Sequence, residues 1–315
     1  MFKMKVIESD FIKKSVSVLE WVEVMEQAFL ASLEGNILMP KRMHLDYNEN
    51  TFSLMPCITN EYISTKLVSY CPHNKNIGKP SINAIVVLND SETGEPLAVM
   101  DGSIITALRT AAVGSVGIKY LAPAEISCLG IIGTGVQGLY QAIFASTLKK
   151  INEIWFYDKS ESNLKGFMEI ISSRFPGISL HIAANSSDVC NHSQVIISAT
   201  NSALPVFPDD PDLFIGKTFI GIGSYKPEYM EYPESFFKQL DQIFVDTEHA
   251  LSESGDLIIP VLKNWFSKTN IYPIAKLING DQPLSNNQTR FFKSVGAALF
   301  DLFAATVVYR KLINK

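Results

Sequence analysis

Apolar residues along the chain follow two different periods, which predict a mixed α/β protein. Between residues 15 and 34 they recur every three to four positions, a spacing that predicts one face of a long helix. That stripe is Val18, Val22, Met25, Phe29 and Leu33. After Pro40 the period becomes two, which predicts strands near 43–47, 51–55, 64–70, 84–88 and 97–100. These strands indicate an antiparallel meander in a small α+β domain.

Beyond residue 126, continuous apolar runs alternate with helical segments. The runs lie at 126–132, 154–157, 179–182, 194–200, 218–222 and 242–246. Strands that are apolar throughout, with helices between them, predict a parallel sheet covered on both faces. The fold class predicted here is therefore α/β, a doubly wound parallel sheet of the Rossmann type beside an α+β domain. A last helix is predicted over 292–305, packed on the first domain or at a subunit interface.

The sequence Gly133-Thr-Gly-Val-Gln-Gly138 lies between the first of these strands and a helix. In such a unit Gly133 permits a tight turn, Gly135 leaves space for a pyrophosphate, and Gly138 lets the helix pack closely. The N–H groups at the helix start, those of Val136 and Gln137 among them, can then bind phosphate oxygens. The pattern predicts a dinucleotide site, with a purely structural turn as the alternative.

Asp158 lies 20 residues after Gly138, at the end of the next strand. A carboxylate there accepts hydrogen bonds from the adenosine ribose and repels the 2′-phosphate of NADP. We therefore predict NAD as the cofactor; NADP stays possible, because the neighbouring Lys159 can soften that repulsion. Ligands of such sheets bind at the carboxyl ends of strands, so further cofactor contacts are expected after two later strands, at Thr200, Gly223 and Ser224.

Three cations interrupt apolar segments of the first domain. Arg42 follows Pro40, Lys66 lies inside a predicted strand, and Arg109 lies in a helix of small residues. Buried cations need an anionic partner. Each could form an internal salt bridge, but three of them in one domain favour a socket for a carboxylate-bearing substrate.

Composition excludes several other functions. Charged residues make up 19% of the chain and the net charge is −5, so no basic surface is expected to bind nucleic acid. The N-terminus lacks the apolar core of a signal peptide, and no uninterrupted apolar run reaches the roughly 18 residues that span a bilayer. We expect a cytoplasmic protein without membrane contact. The four cysteines form no C-x-x-C pair and no histidine has metal-ligand spacing, so free thiols and no metal site are predicted.

Several of these segments together resemble the ornithine cyclodeaminase / μ-crystallin family, which includes alanine dehydrogenases and ketimine or cyclic-imine reductases. Thr106-Ala-Leu-Arg-Thr-Ala-Ala112 is the most specific match. The other matching pieces are Met39–Arg42, Met55-Pro56, Lys66, Gly94–Ala98, Gly133–Gly138 and Ser294–Asp301. The resemblance implies a homodimer with a substrate-binding and dimerisation domain, 1–113 completed by 292–315, and a Rossmann domain, 114–291.

The resemblance also implies residue roles. Arg42 and Arg109 would hold the substrate carboxylate and Lys66 would act on the reacting end as proton donor, with Lys66 and Arg109 as the catalytic pair. Met55 is assigned to the substrate pocket. The nicotinamide side would be lined by Thr110, Ser294 and Val295.

One departure from the family pattern bears on the reaction. Aligned on Pro227 and Glu231, the aspartate with which cyclodeaminases activate water falls on Tyr225. A phenol, with an ordinary pKa of about 10, cannot replace a carboxylate as a base near neutral pH. We therefore predict NAD(P)H-dependent reduction of a cyclic imine carboxylate, pyrroline-2-carboxylate or piperideine-2-carboxylate. Ornithine or lysine cyclodeaminase, alanine dehydrogenase and a catalytically silent nucleotide-binding protein are the alternatives.

Overall fold

The computed structural model describes residues 4–314 and divides the chain into two compact units. One unit is Met1–Arg109 with Gly296–Lys315, and the other is Thr110–Val295. The first three residues, which belong to the N-terminus predicted to carry no signal peptide, and residue 315 of the predicted first domain lie outside the described part. The domain boundaries inferred above stay a prediction.

Fourteen strands and ten α-helices are described. The strands are β1 Lys5–Ile7, β2 Met43–Tyr47, β3 Asn50–Ile58, β4 Tyr62–Tyr70, β5 Ile82–Asp90, β6 Pro96–Asp101, β7 Cys128–Ile132, β8 Glu153–Tyr157, β9 Ser179–Ile182, β10 Val195–Ser198, β11 Thr218–Gly221, β12 Ile243–Val245, β13 Ile271–Pro273 and β14 Arg290–Lys293. The helices are α1 Ser9–Ser15, α2 Val18–Ala31, α3 Gly102–Leu121, α4 Val136–Leu148, α5 Glu161–Arg174, α6 Ser186–His192, α7 Glu234–Phe237, α8 Gly255–Leu262, α9 Ile274–Ile278 and α10 Ala298–Ile313. Short 3₁₀ turns lie at Pro72–Ile77, Pro211–Leu213, Glu248–Ser252 and Lys268–Asn270.

The first unit contains a six-stranded sheet in the order β1-β6-β5-β4-β3-β2. Strands β2 to β6 form the predicted antiparallel meander, and β1, too short to be predicted from its pattern, pairs parallel to β6. Period-two alternation gives the sheet two different faces. One is buried, with Met55 and Cys57 of β3 and Lys66 of β4, and helix α10 packs on β3, β4, β5 and α2. The opposite face leaves large apolar side chains exposed.

Helix α2 is shorter than predicted. Ser17 caps its N-terminus in a reciprocal capping box with Glu20, and the helix ends at Ala31. The predicted core stripe is buried at Val22, Met25 and Phe29. The prediction for Leu33 is wrong, because that residue lies past the end of the helix and its side chain is 39% exposed.

The second unit contains an eight-stranded sheet in the order β13-β12-β14-β11-β10-β7-β8-β9, in which every described pairing is parallel. From β7 the chain winds outward through β8 to β9, then crosses to β10 on the other side of β7. The strand order reverses at β7, and such a switch point is where doubly wound sheets bind ligands. The predicted fold class is confirmed.

The segment around Phe292 corrects the sequence prediction. Residues 290–293 form β14 between β11 and β12, and the last helix begins only at Ala298. The aromatic pair Phe291-Phe292 is buried as sheet core, and Gly296, with φ of +79°, separates the strand from the helix. The predicted helix, 292–305, overlaps the last two residues of β14, because the residues from Ala298 onward have helical spacing.

Helix α3 is the one helix among residues 4–314 that is long and apolar enough to cross a membrane by length and composition alone. Of its most apolar window, 83% is buried inside the protein. That burial is typical of a core helix.

Candidate functional site

The glycine turn of the second unit joins β7 to α4. Gly133 has φ of +89°, a conformation that glycine adopts without steric cost, and its N–H donates to the Tyr157 carbonyl over 2.9 Å. A Cβ on Gly138 would come within 1.9 Å of the Gly133 carbonyl oxygen, so only glycine lets α4 approach the turn so closely. A Cβ on Gly135 would meet no described atom within 4 Å. The turn therefore leaves open space in front of the helix start.

The start of α4 has the features of an anion site. Gly135 is its N-cap and provides no side-chain hydrogen bond, so the first helical N–H groups, at Val136 and Gln137, are not capped by that residue. The dipole of this 13-residue helix favours negative charge at the same place. A dinucleotide pyrophosphate fits a turn with this shape and polarity.

Asp158 braces the same turn. Its Oδ2 accepts hydrogen bonds from the Thr134 N–H at 2.7 Å, the Thr134 hydroxyl at 3.1 Å and the Asn163 amide at 3.2 Å. Its Oδ1 accepts the Ser160 N–H at 2.8 Å. A carboxylate has about four acceptor positions. Oδ2 has three donors and Oδ1 one, so an acceptor position of Oδ1 is left for a ribose hydroxyl.

A buried carboxylate that sequence reasoning used only as an alignment marker connects the ends of β10 and β11. Glu231 Oε1 accepts the N–H and the hydroxyl of Thr200, at 3.1 and 2.6 Å, and Oε2 accepts the Ser224 N–H at 3.2 Å. A Cβ on Gly223 would lie 2.6 Å from both Glu231 oxygens. Glu231 thus holds three predicted cofactor contacts, Thr200, Gly223 and Ser224, in one arrangement.

Glu231 belongs to a fully buried charged network. Lys293, at the end of β14, lies with its Nζ 2.9 Å from Asp256 Oδ2 and 3.8 Å from Glu231 Oε2. Asp256 Oδ1 also accepts the N–H groups of Glu231 and Tyr232, at 2.7 and 3.3 Å. Burial raises the pKa of Asp256, against the opposing effect of Lys293. Two carboxylates share one ammonium, so the network is held by both charge and hydrogen bonds.

Ser294 and Val295 follow β14 directly. The Ser294 hydroxyl and the Val295 N–H both donate to Asp246 Oδ2, at 2.7 and 2.9 Å. Asp246 directly follows β12. Because β14 lies between β11 and β12, Asp246 fixes two residues of the predicted nicotinamide side.

Thr110 is fixed from within the second unit. It is 7% exposed, and its carbonyl accepts the amide of Gln141 on α4 at 2.9 Å. Gly114 lies one turn further along α3, where a Cβ would come within 2.2 Å of the Gln141 side chain. This close approach ties the Thr110 region of α3 to the helix that begins at the glycine turn.

The first unit brings three charged side chains from three elements together. Lys66 on β4 is 2% exposed, Arg109 on α3 is 5% exposed, and Asp301 on α10 is fully buried. Asp301 Oδ2 lies 2.7 Å from Lys66 Nζ, and Oδ1 accepts the Arg109 Nε–H at 3.1 Å. Asp301 is thus the anionic partner that the sequence could not assign. Met55, also buried, lies opposite Lys66 in the β3–β4 register.

Arg42 joins this group through the backbone. Its Nη2 donates to the Gly296 carbonyl at 2.6 Å. A Cβ on Gly296 would lie 2.8 Å from Arg109 Nη1 and 3.0 Å from Nη2, so the glycine backbone lies against that guanidinium. We call Arg42, Lys66, Arg109 and Asp301 the cationic cluster. Three cations and one carboxylate leave it with an excess of positive charge that suits an anionic ligand.

The surroundings of Lys66 lower the pKa of its ammonium toward neutral pH. Burial lowers the pKa of Lys66 to about 8; Asp301 opposes this effect, and the charges of Arg109 and Arg42 add to it. An amine with this pKa can donate and recover a proton near neutral pH. Cys57 is a neighbour of Asp301, and burial raises the pKa of its thiol to about 12, so that it stays neutral.

The two histidines of the first unit lie on its surface. His44 is exposed and bonds the Ser53 hydroxyl at 2.8 Å, and His73 forms a surface pair with Glu49. Tyr225 follows Ser224 and is half-buried. Among the described residues, no group of three or more His, Cys, Asp or Glu side chains could hold a metal ion.

The parallel sheet with its glycine turn defines a dinucleotide-binding α/β protein. The chain belongs to the ornithine cyclodeaminase/mu-crystallin family, whose model matches residues 3–315. The resemblance drawn from the sequence motifs is confirmed.

Known relatives match along almost the whole chain. A Delta(1)-pyrroline-2-carboxylate reductase of Bacillus cereus is 32% identical, with 99% of this chain and 98% of the relative covered. The structure of the Thermococcus litoralis Delta(1)-pyrroline-2-carboxylate reductase, in complex with NADH and L-proline, is similar with a TM-score of 0.92 at 30% identity, covering 99% of this chain and 98% of that one. An archaeal alanine dehydrogenase dimer with bound NAD has a TM-score of 0.90 at 28% identity, covering 99% and 96%.

Proposed function

We propose that this protein is an NAD-dependent oxidoreductase that reduces the C=N bond of a cyclic imine carboxylate, with Δ1-pyrroline-2-carboxylate as the leading substrate. The observation that carries this proposal is the cationic cluster: the Lys66 ammonium, with a pKa near 8, and the Arg109 guanidinium pair with buried Asp301, and the charge of Arg42 acts on the same ammonium. The relatives named as pyrroline-2-carboxylate reductases, one of them bound to NADH and L-proline, support it.

The roles of the side chains follow from their chemistry. Arg42 and Arg109 bind the substrate carboxylate, because a guanidinium fork matches its planar shape. Lys66 hydrogen-bonds the ring nitrogen and gives it a proton as the C=N bond becomes a C–N bond. Met55 forms an apolar wall beside Lys66. The substrate is thereby held in one orientation, which is catalysis largely by positioning.

The second unit binds the cofactor. The N–H groups at the start of α4 hold the pyrophosphate, and Asp158 holds the ribose. Thr110, Ser294 and Val295 line the nicotinamide side, and Thr200, Gly223 and Ser224 make further cofactor contacts. NADH, when bound, supplies the hydride for the ring carbon. Asp158 favours NADH over NADPH, because a 2′-phosphate would meet its negative charge.

Cyclodeamination needs a carboxylate base, and Tyr225 stands where this family's cyclodeaminases have one. The half-buried phenol of Tyr225 cannot take that role near neutral pH. We therefore place the chain with the reductases of the family.

A substrate panel tests the assignment. The purified protein with NADH should lose absorbance at 340 nm when pyrroline-2-carboxylate or piperideine-2-carboxylate is added, and should react more slowly with NADPH. Turnover of pyruvate with ammonia alone would instead make it an alanine dehydrogenase. Release of ammonia from ornithine or lysine, with no net change of the cofactor, would make it a cyclodeaminase. Binding of NADH and imine without turnover would indicate a silent binding protein.

We also propose that the protein is a cytoplasmic homodimer. The outer face of the first unit's sheet exposes an apolar patch, and the alanine dehydrogenase neighbour is a dimer. The four cysteines are free, as expected in a reducing compartment that also supplies NADH.

A further inference from the structure

Asp301 pairs with both Lys66 and Arg109, the two cations that have catalytic roles in the proposed reaction. It lies on α10 with no exposed surface, and each of its carboxylate oxygens faces a different cation. One oxygen faces the Lys66 ammonium from β4 and the other accepts the Nε–H of Arg109 from α3. A carboxylate that bridges two cations in this way fixes the direction of both side chains at once.

Because Arg109 donates to Asp301 through Nε, the Nη1–Nη2 edge of its guanidinium is the one that can meet a ligand. Since Asp301 takes Nε–H, recognition of a substrate carboxylate falls to Nη1 and Nη2, the two-pronged edge that matches a carboxylate. A Cβ on Gly296 would lie within 3.0 Å of both nitrogens and would cover them, so a residue with a side chain at this position would block that edge. The same glycine carbonyl accepts the Arg42 Nη2 hydrogen. Asp301 therefore fixes Arg109, and the Gly296 carbonyl fixes Arg42.

We propose that Asp301 is the positioning residue of the cationic cluster: it orients the Lys66 ammonium toward the reacting nitrogen and the Arg109 fork toward the substrate carboxylate. The inference rests on the proposed function and adds a residue to it. Asp301 touches neither the substrate nor the cofactor in this scheme, and it acts through Lys66 and Arg109.

The charge of Asp301 gives the proposal a measurable consequence. Four charged or titratable groups surround Lys66: Asp301, Arg109 and Arg42, with the neutral thiol of Cys57 beyond Asp301. Of these, Asp301 stabilises the ammonium, and both arginines disfavour it. Replacing Asp301 by a neutral side chain lowers the pKa of Lys66 further, so the protonated donor is lost at a lower pH.

The decisive variant is Asp301→Asn. We expect kcat/KM for pyrroline-2-carboxylate to fall about 100-fold, the loss typical of misplaced catalytic groups. The alkaline limb of its pH profile, expected near pH 8 in the wild type from the pKa of Lys66, should move down by about one pH unit or more. The Kd of NADH should stay within roughly twofold, since the change is confined to the first unit. A lower kcat/KM with an unmoved limb would show a merely structural role and overturn the proposal.

Two further variants guard against a folding artefact. Glu61→Gln is the matched control. Glu61 pairs with Arg310, which lies on α10 like Asp301, but this pair is on the surface. The alkaline limb and the kcat/KM of this variant should equal those of the wild type. Asp301→Glu keeps the charge and should restore the limb with a lower kcat. If Asp301→Asn fails to fold, a limb in Asp301→Glu that lies a full unit below the wild type would contradict the proposal.

Ligand binding separates this inference from the proposed function. Pyrrole-2-carboxylate is a planar carboxylate that cannot be reduced, and calorimetry can follow its affinity against pH in both proteins. A lower transition pH in Asp301→Asn would support the positioning role even if the wild type reduced no imine. Equal pH dependence in the two proteins would refute the role even if imine reduction were demonstrated.

Discussion

At the residue scale, Arg109 tests whether the cluster recognises a carboxylate. Arg109→Lys keeps the charge but removes the fork, so we expect the KM for the imine to rise about tenfold. Arg109→Leu removes both and leaves Asp301 with Lys66 alone, and substrate binding should weaken by about 100-fold. Calorimetry with pyrrole-2-carboxylate and with NADH measures the two affinities separately. Equal weakening of both ligands would point to a structural role for Arg109.

Asp158 braces the glycine turn, and in the proposed function it also repels a 2′-phosphate; substitution can separate these two roles. Asp158→Ser removes the negative charge that repels a 2′-phosphate, so the ratio of kcat/KM for NADH to that for NADPH should fall by about tenfold or more. Thr134→Val is the matched control, since it removes the hydroxyl bond to Asp158 but keeps the carboxylate. It should retain the preference for NADH. If both variants lost the preference equally, the brace on the turn rather than the charge would set selectivity.

At the element scale, Lys293 at the end of β14 is the cation of the network in which Glu231 connects the ends of β10 and β11. Lys293→Met leaves Glu231 and Asp256 buried without their cation, which should cost about 3–5 kcal/mol of unfolding free energy. Lys293→Met combined with Asp256→Asn should recover part of that loss. Urea denaturation measures both.

The pH dependence of that variant has a definite sign. Without Lys293 the pKa of Asp256, already raised by burial, rises further above its unfolded value. The folded protein then holds this carboxyl in its protonated form. The resulting stability is fully present below the unfolded pKa and is lost as pH rises through the folded pKa. Lys293→Met should therefore unfold at a higher urea concentration at pH 5 than at pH 8. No gain on acidification would indicate that Asp256 is not the destabilising charge.

Sequence periodicity predicts the elements that are long enough to show it. The five strands of the meander alternate over five to nine residues, and the β7–α4–β8 unit also carries the glycine pattern. Strands β1 and β13 have three residues each, too few to show alternation. The last two residues of β14, 292 and 293, were predicted as the start of the last helix, because the small-residue pattern that follows them is helical. Local pattern could not decide between the two.

The candidate site was predictable to the extent that its chemistry is local. The spacing of the glycines predicts the turn, and charged residues inside apolar segments identify the cations. Their partners come from distant elements: Asp301 lies 235 residues after Lys66, and Lys293 lies 62 residues after Glu231. Only the folded chain shows which carboxylate meets which cation. Buried charge without a local partner is the sequence signal that such a pairing exists.

At the scale of the whole molecule, the outer face of the first unit's sheet is the surface on which the proposed homodimer would associate. In the register of β2 to β5, Met43, Leu54, Leu67 and Ile85 form one row across the strands, and Leu45 and Phe52 lie in the next row on the same face. Five of these six side chains are exposed by 38% to 56%. A contiguous apolar patch of this kind marks an interaction surface.

Leu67→Lys places a charge in the middle of this patch, and burying an unpaired charge in an interface costs several kcal/mol. By light scattering the wild type should have twice the 35.0 kDa mass of one chain, and Leu67→Lys should have the mass of a single chain at micromolar concentration. Leu262→Lys is the control, because Leu262 is 75% exposed in the other unit and should not affect assembly. A monomeric wild type, or a Leu67→Lys variant that stays dimeric, would exclude this face as the interface.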